Sequence, residues 1–345
     1  MPFIHLDRRA ALFGLSTALL AACKPGAPTA PRGPASLDTS RLADGFGELL
    51  ARARPAVFGF GVALTGGGTQ WVSDATARFP LQSVFKVFLA AAALAMVDAG
   101  QMRLAEPIVL SDQDRAFGWD PMVRAWRGPA MTFPVVDLIA LAVQQSDNTA
   151  ADALMKRIGG PAAVTAWLRG KAIADISVDR YETEIQPEVL GMGPFQPQWS
   201  DNRAWTAARD AVPAEAREAA TTRYLADARD TATLAASLDF LTRLAAGQLL
   251  SAASTRLLLR LMTDSRTGEH RLKAGLPANA SLAHKTGTST TDLGLTPATN
   301  DIGVVTLANG RRFALAAYIA GSTGTEGTRE GLIADAARLA VSCVR

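Results

Sequence analysis

The chain has 345 residues, of which 48% are hydrophobic and 19% are charged, and its formal net charge is +3. An apolar fraction this large excludes a disordered or collagen-like chain, and a count of two cysteines excludes a disulfide scaffold. The 35 basic and 32 acidic residues are interspersed, without the Lys/Arg cluster that indicates nucleic-acid binding. The composition therefore predicts a globular protein with no nucleic-acid partner.

The N-terminus has the pattern of an export signal. Two arginines, Arg8 and Arg9, precede an apolar run that is too short to span a bilayer about 30 Å thick but is typical of a signal-peptide core. The run ends in the sequence LAAC, which resembles a lipobox with Cys23 as the lipidated residue. We therefore expect residues 1–22 to be a signal peptide and the proline-containing segment 23–38 to be a tether.

This pattern also predicts where the protein resides. We expect export to the periplasm by the Sec or the twin-arginine route, with membrane contact only through a lipid on Cys23. An ordinary signal peptide with an incidental cysteine is the alternative. With Cys23 acylated, Cys343 cannot form an intramolecular disulfide, and we expect it to be buried as a small apolar side chain in the last helix. We expect the protein to be a monomer.

Strand patterns occupy both ends of the remaining chain, and helical patterns occupy its middle. The strand-like runs are 56–64 and 70–73 near the N-terminus, and 301–308 and 311–320 near the C-terminus. The helical runs are 83–99, 135–145, 150–158, 161–169, 213–228 and 328–343. Because strands from both ends can join one sheet, we expect an α+β fold with an antiparallel sheet domain (39–82 and 266–345) and an inserted helical domain (83–265).

Two motifs place a nucleophile beside candidate proton carriers. Ser83 and Lys86 form an S-x-x-K sequence at the predicted start of a helix, where residues three apart share a face. An amine this close can accept the hydroxyl proton and so activate the serine. Ser146 and Asn148 belong to an S-D-N sequence between two helices, and they offer a hydroxyl for proton relay and an amide for hydrogen bonding.

A third motif, K-T-G-T, occupies residues 285–288, where the pattern changes from loop to strand. A strand edge presents backbone N–H donors, and Lys285 adds a positive charge, so this segment suits an anionic substrate group. The chance of finding all three motifs in a chain of this composition is on the order of 10⁻⁴. Together they indicate one catalytic site rather than separate capping residues and turns.

The three motifs in this order resemble those of the penicillin-recognising serine enzymes, which are the class A β-lactamases and the penicillin-binding transpeptidases. The residues that follow S-D-N, at 149–151 and 158–161, and the N-D-I-G sequence at 300–303 resemble the class A β-lactamases in particular. The likeness extends over roughly residues 40–345. It implies a five-stranded antiparallel sheet flanked by helices (an α/β sandwich), a β-lactam as small-molecule substrate, and no cofactor.

The resemblance also implies roles for the motif residues. Ser83 would be the nucleophile, Lys86 its proton acceptor, and Ser146 the proton relay to the departing nitrogen. The backbone N–H groups of Ser83 and Thr288 would form the oxyanion hole. The residues that would bind the substrate are Asn148, Gln186, Lys285, Thr286, Gly287, Thr288, Arg271 and Trp119.

Three side chains near these motifs have alternative interpretations. Arg271 matches an arginine that binds the substrate carboxylate in some class A members, and a plain surface arginine is the alternative. Trp119 resembles an aromatic residue beside the site, and a core tryptophan is the alternative. His284 either tunes Lys285 or packs at the end of a strand. Because the chain has three histidines and no H-E-x-x-H sequence, we expect no catalytic metal.

A deacylating base separates the two related families. Transpeptidases keep the acyl-enzyme until an amine arrives, whereas class A β-lactamases hydrolyse it with a water held by a glutamate. Segment 180–186 resembles the lactamase Ω-loop, with Glu182 at the position of that base. The family usually has proline and asparagine where this chain has Thr183 and Gln186. The alternatives are therefore a penicillin-binding peptidase or esterase that deacylates poorly, and a non-catalytic lipoprotein that binds cell-wall fragments.

The predicted Ω-loop is unusually long, because the family closes it with an Arg–Asp ion pair that we assign to Arg180 and Asp230. Arg209 with Asp210 is the alternative pair. The first assignment leaves an insertion of 43 residues after Gln186, far more than the family usually has. The insertion is either a surface excursion that packs on its own aromatic residues or a lid that alters substrate access. For a lid, trimming within it changes KM among bulky substrates more than it changes stability.

Overall fold

The computed structural model describes residues 35–117, 121–122 and 126–345. Its strands are β1 (Val57–Leu64), β2 (Gln70–Val72), β3 (Arg78–Pro80), β4 (Pro107–Ser111), β5 (Ala130–Pro134), β6 (Thr231–Thr233), β7 (Ser281–Thr288), β8 (Thr296–Thr306) and β9 (Arg312–Ser322). Its α-helices are α1 (Thr39–Ala53), α2 (Phe85–Asp98), α3 (Val135–Gln144), α4 (Asn148–Ile158), α5 (Pro161–Gly170), α6 (Glu182–Val189), α7 (Asn202–Asp210), α8 (Ala214–Ala226), α9 (Leu234–Ala245), α10 (Ala252–Thr263) and α11 (Glu326–Cys343).

The main sheet has five antiparallel strands in the order β2-β1-β9-β8-β7. Two of these strands come from the N-terminal part of the chain and three from the C-terminal part, which confirms the predicted α+β fold. Two smaller sheets pair β3 with β6 and β4 with β5. None of the helices in the described ranges is long and apolar enough to cross a membrane.

Alternating residues of the sheet pack against helices on its two faces. In β1, Phe58 and Phe60 point into a core that also includes residues of α1 and α11. Gly59 lies between them, and a Cβ there would come within 2.3 Å of the ring of Phe79, so only glycine lets β3 pack this closely. Because phenylalanine and glycine alternate in this part of β1, both faces of the strand are closely packed.

Helix α2 runs through the centre of the helical region. Its residues from Phe85 to Leu94 are all buried, as expected for a helix that is apolar on every side. Lys86 is therefore a charged residue inside an apolar helix, and burial of such a group requires polar partners. Those partners come from three other segments of the chain, and they define the candidate site.

The predicted elements and the observed ones differ mainly at their ends. The helix predicted from residue 83 begins as a 3₁₀ turn at Gln82–Val84 and becomes α-helical at Phe85. The helix predicted at 213–228 is α8, and Cys343 is fully buried in the last helix as expected. Helix α1 was not predicted, although its apolar residues recur at helical spacing and Asp38 caps its N-terminus. Residues 1–34, including the predicted lipidation site Cys23, lie outside the described ranges.

Candidate active site

The candidate nucleophile lies in the short turn that precedes α2. Ser83 Oγ accepts a hydrogen bond from Lys86 Nζ at 2.9 Å and donates one to Glu182 Oε1 at 3.3 Å. The S-x-x-K spacing places the amine one turn below the hydroxyl, as the sequence predicted. The Glu182 carboxylate belongs to a segment 99 residues further along the chain. A hydroxyl in contact with both an amine and a carboxylate has two possible proton acceptors.

The Lys86 side-chain amine is buried among oxygen atoms. Its Nζ lies 2.9 Å from Glu182 Oε1 and donates to the carbonyl oxygen of Ser146 at 2.7 Å and to Asn148 Oδ1 at 2.5 Å. These partners compensate for the loss of water around a buried amine. The S-D-N motif is thus held against the S-x-x-K motif by Lys86 itself.

The S-D-N motif also contacts the third motif. Ser146 Oγ accepts a hydrogen bond from Lys285 Nζ at 2.9 Å, and the backbone at Ser146 has a φ of +59°, in the left-handed region that residues with side chains rarely adopt. Asp147 caps α4 by accepting from the backbone N–H of Ala150. Burial and the nearby charge of Lys86 lower the pKa of Lys285 well below its usual range.

Strand β7 passes unusually close to the turn that carries the nucleophile. A Cβ on Gly287 would lie 2.4 Å from the carbonyl oxygen of Leu81, so the glycine of the third motif is required by this approach. Asn300, on the next strand, donates to the carbonyl oxygens of Pro80 and Leu81 at 2.8 and 3.0 Å. The edge of β7 that carries Thr288 is thereby fixed beside Ser83.

Glu182 is the first residue of α6 and lies in the predicted Ω-loop, residues 180–230, which we call the Ω segment. The backbone N–H groups of Glu182 and Thr183 donate to the Asp152 carboxylate at 2.7 and 3.1 Å, and Thr183 Oγ1 adds a bond at 2.9 Å. Gln186, one turn later, donates from Nε2 to Glu182 Oε2 at 2.8 Å. Burial and the charge of Glu182 raise the pKa of Asp152 to about 6.

Of the two ion pairs considered for closing the Ω segment, the structure shows the first as a buried pair. Arg180 Nε lies 2.6 Å from Asp230 Oδ2, and both side chains are at least 95% buried. Arg209 and Asp210 contact each other on the surface instead. Asp230 also accepts from the backbone N–H of Asp179 at 2.7 Å, so it holds the start of the Ω segment through both its backbone and its side chain.

Comparisons with known proteins agree with this geometry. The sequence model of the β-lactamase enzyme family matches residues 41–344. The chain is 31% identical to the extended-spectrum β-lactamase PER-1 of Pseudomonas aeruginosa, over 76% of this chain and 74% of that protein. It is also 31% identical to the carbapenem-hydrolysing β-lactamase KPC of Klebsiella oxytoca, over 80% of each chain.

Solved structures give the same result. A β-lactamase from Chitinophaga pinensis is similar with a TM-score of 0.71 and 30% identity, over 86% of this chain and 97% of the other. An ancestral class A β-lactamase is similar with a TM-score of 0.70 and 32% identity, over 87% and 99%. The chain belongs to the class A serine β-lactamases.

Arg271 lies beside the third motif of this β-lactamase, where it is buried and not a surface residue. Its Nη2 donates to Thr288 Oγ1 at 2.8 Å, and its Nη1 donates to the carbonyl oxygen of Asn300 at 2.9 Å. Its Nε forms an ion pair with Glu330 at 3.0 Å. The guanidinium is thus anchored on two sides, and its third side faces the threonine hydroxyl at the edge of β7.

Two other sequence-predicted residues have different outcomes. His284 bonds through Nδ1 to Asp301 on the neighbouring strand at 2.9 Å, which supports the packed-residue alternative over a role in tuning Lys285. Trp119 lies outside the described residues. In the part of the chain that the structure describes, no group of three or more His, Cys, Asp or Glu side chains is arranged to hold a metal ion.

Three side chains of the insertion of this β-lactamase, residues 187–229, contact distant parts of the chain. Trp205 stacks on Phe117, with ring centroids 3.9 Å apart. Arg217 forms an ion pair with Asp292, in the turn between β7 and β8, at 2.5 Å. Tyr224 accepts a hydrogen bond from Gln82, the residue before the nucleophile, at 2.5 Å. Sequence reasoning missed Gln82 and Tyr224, since 142 residues separate them and neither belongs to a motif.

Proposed function

We propose that this β-lactamase hydrolyses the β-lactam amide through an acyl-enzyme on Ser83, and that Glu182 completes the cycle by activating water. One observation carries the proposal. The Glu182 carboxylate, 1% exposed, lies within hydrogen-bond distance of Ser83, Lys86 and Gln186 at once. A carboxylate in contact with the nucleophile, the amine and an amide can exchange protons with each step of acyl transfer.

Acylation begins with attack of Ser83 Oγ on the strained lactam carbonyl. Its proton passes to Lys86 in the neutral amine form, 2.9 Å away, or to Glu182 at 3.3 Å directly or through a water. The developing oxyanion lies between the backbone N–H groups of Ser83 and Thr288. In comparable enzymes each such donor contributes about 3 kcal/mol to stabilisation of the transition state.

The leaving nitrogen receives its proton from Ser146, which regains one from the Lys285 ammonium. The Lys285 ammonium donates to the Ser146 hydroxyl oxygen at 2.9 Å, which leaves the hydroxyl hydrogen free to be given to the nitrogen. Lys285, Thr286, Thr288 and Arg271 bind the substrate carboxylate with a cluster of donors at one end of β7. Asn148, whose Nδ2 donates to the carbonyl oxygen of Phe117 at 2.8 Å, positions the substrate's side-chain amide.

Deacylation depends on the pair Glu182 and Gln186. Glu182 removes a proton from a water, which attacks the ester carbonyl carbon, and the bond to Ser83 Oγ then breaks with return of a proton to that oxygen. Gln186 keeps Nε2 on Glu182 at 2.8 Å, so its carbonyl oxygen can accept from the same water. Glutamine thus replaces the asparagine usual in the family, with one additional methylene.

A time course with substrate in large excess tests this proposal. Many turnovers per enzyme are expected, whereas a burst equal to the enzyme concentration followed by a plateau would favour the penicillin-binding peptidase. Glu182→Ala is expected to accumulate an acyl-enzyme that mass spectrometry detects as an adduct on Ser83. An unchanged turnover rate in Glu182→Ala would contradict the role given to this glutamate.

We also propose that the protein is exported, lipid-anchored through Cys23, and monomeric. The LAAC sequence and the proline-containing tether support the anchor, and a site assembled from one chain supports the monomer. Metabolic labelling with a fatty acid and membrane fractionation test the anchor, with Cys23→Ser as the variant expected to lose both signals. Sedimentation of the chain from residue 35 onward tests the monomer, and a mass of twice the chain would contradict it.

A further inference from the structure

The insertion contributes one buried hydroxyl to the neighbourhood of the nucleophile. Tyr224, on α8, is 5% exposed, and its ring packs with Ile185 and Val189 of α6. Its hydroxyl oxygen accepts from Gln82 Nε2 at 2.5 Å. Burial raises the pKa of Tyr224, so the group remains a neutral phenol. The same side chain therefore contacts both the helix that carries Glu182 and the residue that precedes Ser83.

A continuous path of hydrogen bonds leads from this hydroxyl to the candidate base. Gln82 Oε1 accepts from Gln186 Nε2 at 3.4 Å, and Gln186 Nε2 donates to Glu182 Oε2 at 2.8 Å. Three hydrogen bonds thus link two parts of the chain that are far apart in sequence: helix α6 with its carboxylate and the insertion with its tyrosine.

The charge of Glu182 determines which groups donate and which accept along this path. A carboxylate accepts only, so Gln186 must present its NH₂ group, and that group also faces the carbonyl oxygen of Gln82. Gln82 then has its own NH₂ group directed away, and Tyr224 supplies the acceptor that this group needs. Without the Tyr224 hydroxyl, the buried NH₂ group of Gln82 loses this acceptor. The Gln82 amide is then less firmly held and can rotate.

The backbone conformation of Gln82 makes its hydrogen bond to Tyr224 more important. Its φ is +45°, a conformation that side-chain-bearing residues rarely adopt, and it immediately precedes Ser83. Such a conformation persists only where surrounding contacts hold it in place. The Tyr224 hydroxyl is one of those contacts, and it reaches the turn from outside the three motifs.

We propose that Tyr224 is a positioning residue for deacylation, whose hydroxyl acts through Gln82 and Gln186 to hold Glu182 where it activates the attacking water. The inference rests on the proposed role of Glu182. Acylation can proceed through Ser83, Lys86 and Ser146, which this path does not include. Loss of the hydroxyl should therefore slow the second half of the reaction and largely preserve the first.

Tyr224→Phe tests the inference, because it removes the hydroxyl and keeps the ring. The expected result is a fall in kcat of about tenfold with a parallel fall in KM, so that kcat/KM changes less than about twofold. This split indicates slow deacylation, and rapid-quench mass spectrometry should show the acyl-enzyme on Ser83 as the major species. A fall in kcat/KM equal to the fall in kcat, without acyl-enzyme, would overturn the inference.

Tyr318→Phe is the matched control. Tyr318 is also fully buried, and its hydroxyl lies 2.9 Å from Ser237 Oγ, outside the path that leads to Glu182. Both variants lose one buried hydroxyl, so similar losses of stability are expected, but only Tyr224→Phe should accumulate acyl-enzyme. Equal kinetic effects in the two variants would mean that Tyr224 acts through general packing.

Two further variants complete the test. Gln82→Met interrupts the same path with Tyr224 intact, and it should give the same fall in kcat and KM even if Tyr224→Phe folds poorly. In a Glu182→Ala background, adding Tyr224→Phe should leave the residual deacylation rate unchanged within about twofold. If Glu182→Ala does not trap the acyl-enzyme, the proposed function of Glu182 is wrong. If it traps and neither Tyr224→Phe nor Gln82→Met does, only the present inference fails.

Discussion

Trp205 of the insertion stacks face to face on Phe117, with the two rings 10° from parallel and their centroids 3.9 Å apart. The carbonyl oxygen of Phe117 accepts from Asn148 Nδ2 at 2.8 Å, so the stacked pair is one hydrogen bond away from the S-D-N motif. Phe195 and Trp199 continue the aromatic cluster away from the site. The insertion thus packs on its own aromatic residues and also borders the site, and its role as a lid stays a prediction.

Trp205→Leu should change substrate preference, since it removes the ring that stacks on Phe117 beside the S-D-N motif. We expect the ratio of kcat/KM for substrates with bulky acyl side chains to that for small ones to rise at least about threefold, which corresponds to about 0.7 kcal/mol of differential transition-state binding. Steady-state kinetics on paired substrates measures the ratio. Trp167→Leu, at a half-buried tryptophan of α5, is the control and should leave the ratio unchanged. An unchanged ratio with a collapsed melting temperature in Trp205→Leu would contradict the lid role.

Arg217→Ala should loosen the insertion from the sheet. The ion pair with Asp292 is mostly buried, and its loss leaves a carboxylate without its partner, so we expect the free energy of unfolding to fall by about 2 kcal/mol. Urea denaturation measures this change, and the double variant with Asp292→Ala should recover part of it. Arg209→Ala breaks an exposed pair and should cost less than about 1 kcal/mol. Equal losses in the two single variants would argue against the bridging role.

The fall of kcat/KM at alkaline pH, the alkaline limb of the pH profile, should reflect the deprotonation of Lys285. Burial and the charge of Lys86 lower the pKa of Lys285, and only the protonated form attracts the substrate carboxylate. We therefore expect kcat/KM to fall as the pH rises through this lowered pKa, below the pH at which an ordinary lysine titrates. Lys285→Arg keeps its charge at every accessible pH, so its remaining activity should lack this limb. An identical limb in Lys285→Arg would assign the titration to another group.

Asp152 should make stability depend on pH between about 4 and 7. Burial and the charge of Glu182 raise the pKa of Asp152 to about 6, so the folded state binds its proton more tightly than the unfolded state does. The stabilisation is complete below the unfolded pKa of about 3.9 and is lost as the pH rises through 6. The free energy of unfolding of the wild type minus that of Asp152→Asn should fall by up to about 3 kcal/mol across this range.

Asp98→Asn provides a control of opposite sign. Burial acts to raise the pKa of Asp98, but hydrogen bonds from Ser254 and Ser251 outweigh it and lower that pKa. The stabilisation from Asp98 is present above its unfolded pKa and is lost as the pH falls. The free energy of unfolding of the wild type minus that of Asp98→Asn should therefore rise with pH. Differences of the same sign for Asp152→Asn and Asp98→Asn would show that the pKa of Asp152 is not raised.

The three motifs predicted much of the site because each is a local arrangement. The interval between Ser83 and Lys86 puts both groups on one face of a turn, and the structure joins them at 2.9 Å. Glu182 was placed by the sequence around it, and it does reach the nucleophile. The two-residue and 3.6-residue periodicities predicted the sheet from both chain ends and most of the helices, because each face of an element must match its surroundings.

The boundaries of elements and the short helices of the insertion were harder to predict. Helix α7 contains Trp205, and only that residue of the helix is buried, so its apolar pattern is too weak to identify from sequence. The 3₁₀ turn at Ser83 was also missed, and it lies against Gly287 of β7, a contact between distant segments that no local pattern records.

By itself, the sequence determined the motifs, their order, and the alternation of strands and helices that leads to this fold. It did so because spacing within one helix or strand is a local property that covalent geometry sets. Only the tertiary structure decided that the insertion would place Tyr224 on Gln82, Arg217 on Asp292 and Trp205 on Phe117. Each of these pairs joins segments separated by at least 75 residues, and their meeting depends on packing between elements, which periodicity within an element does not specify.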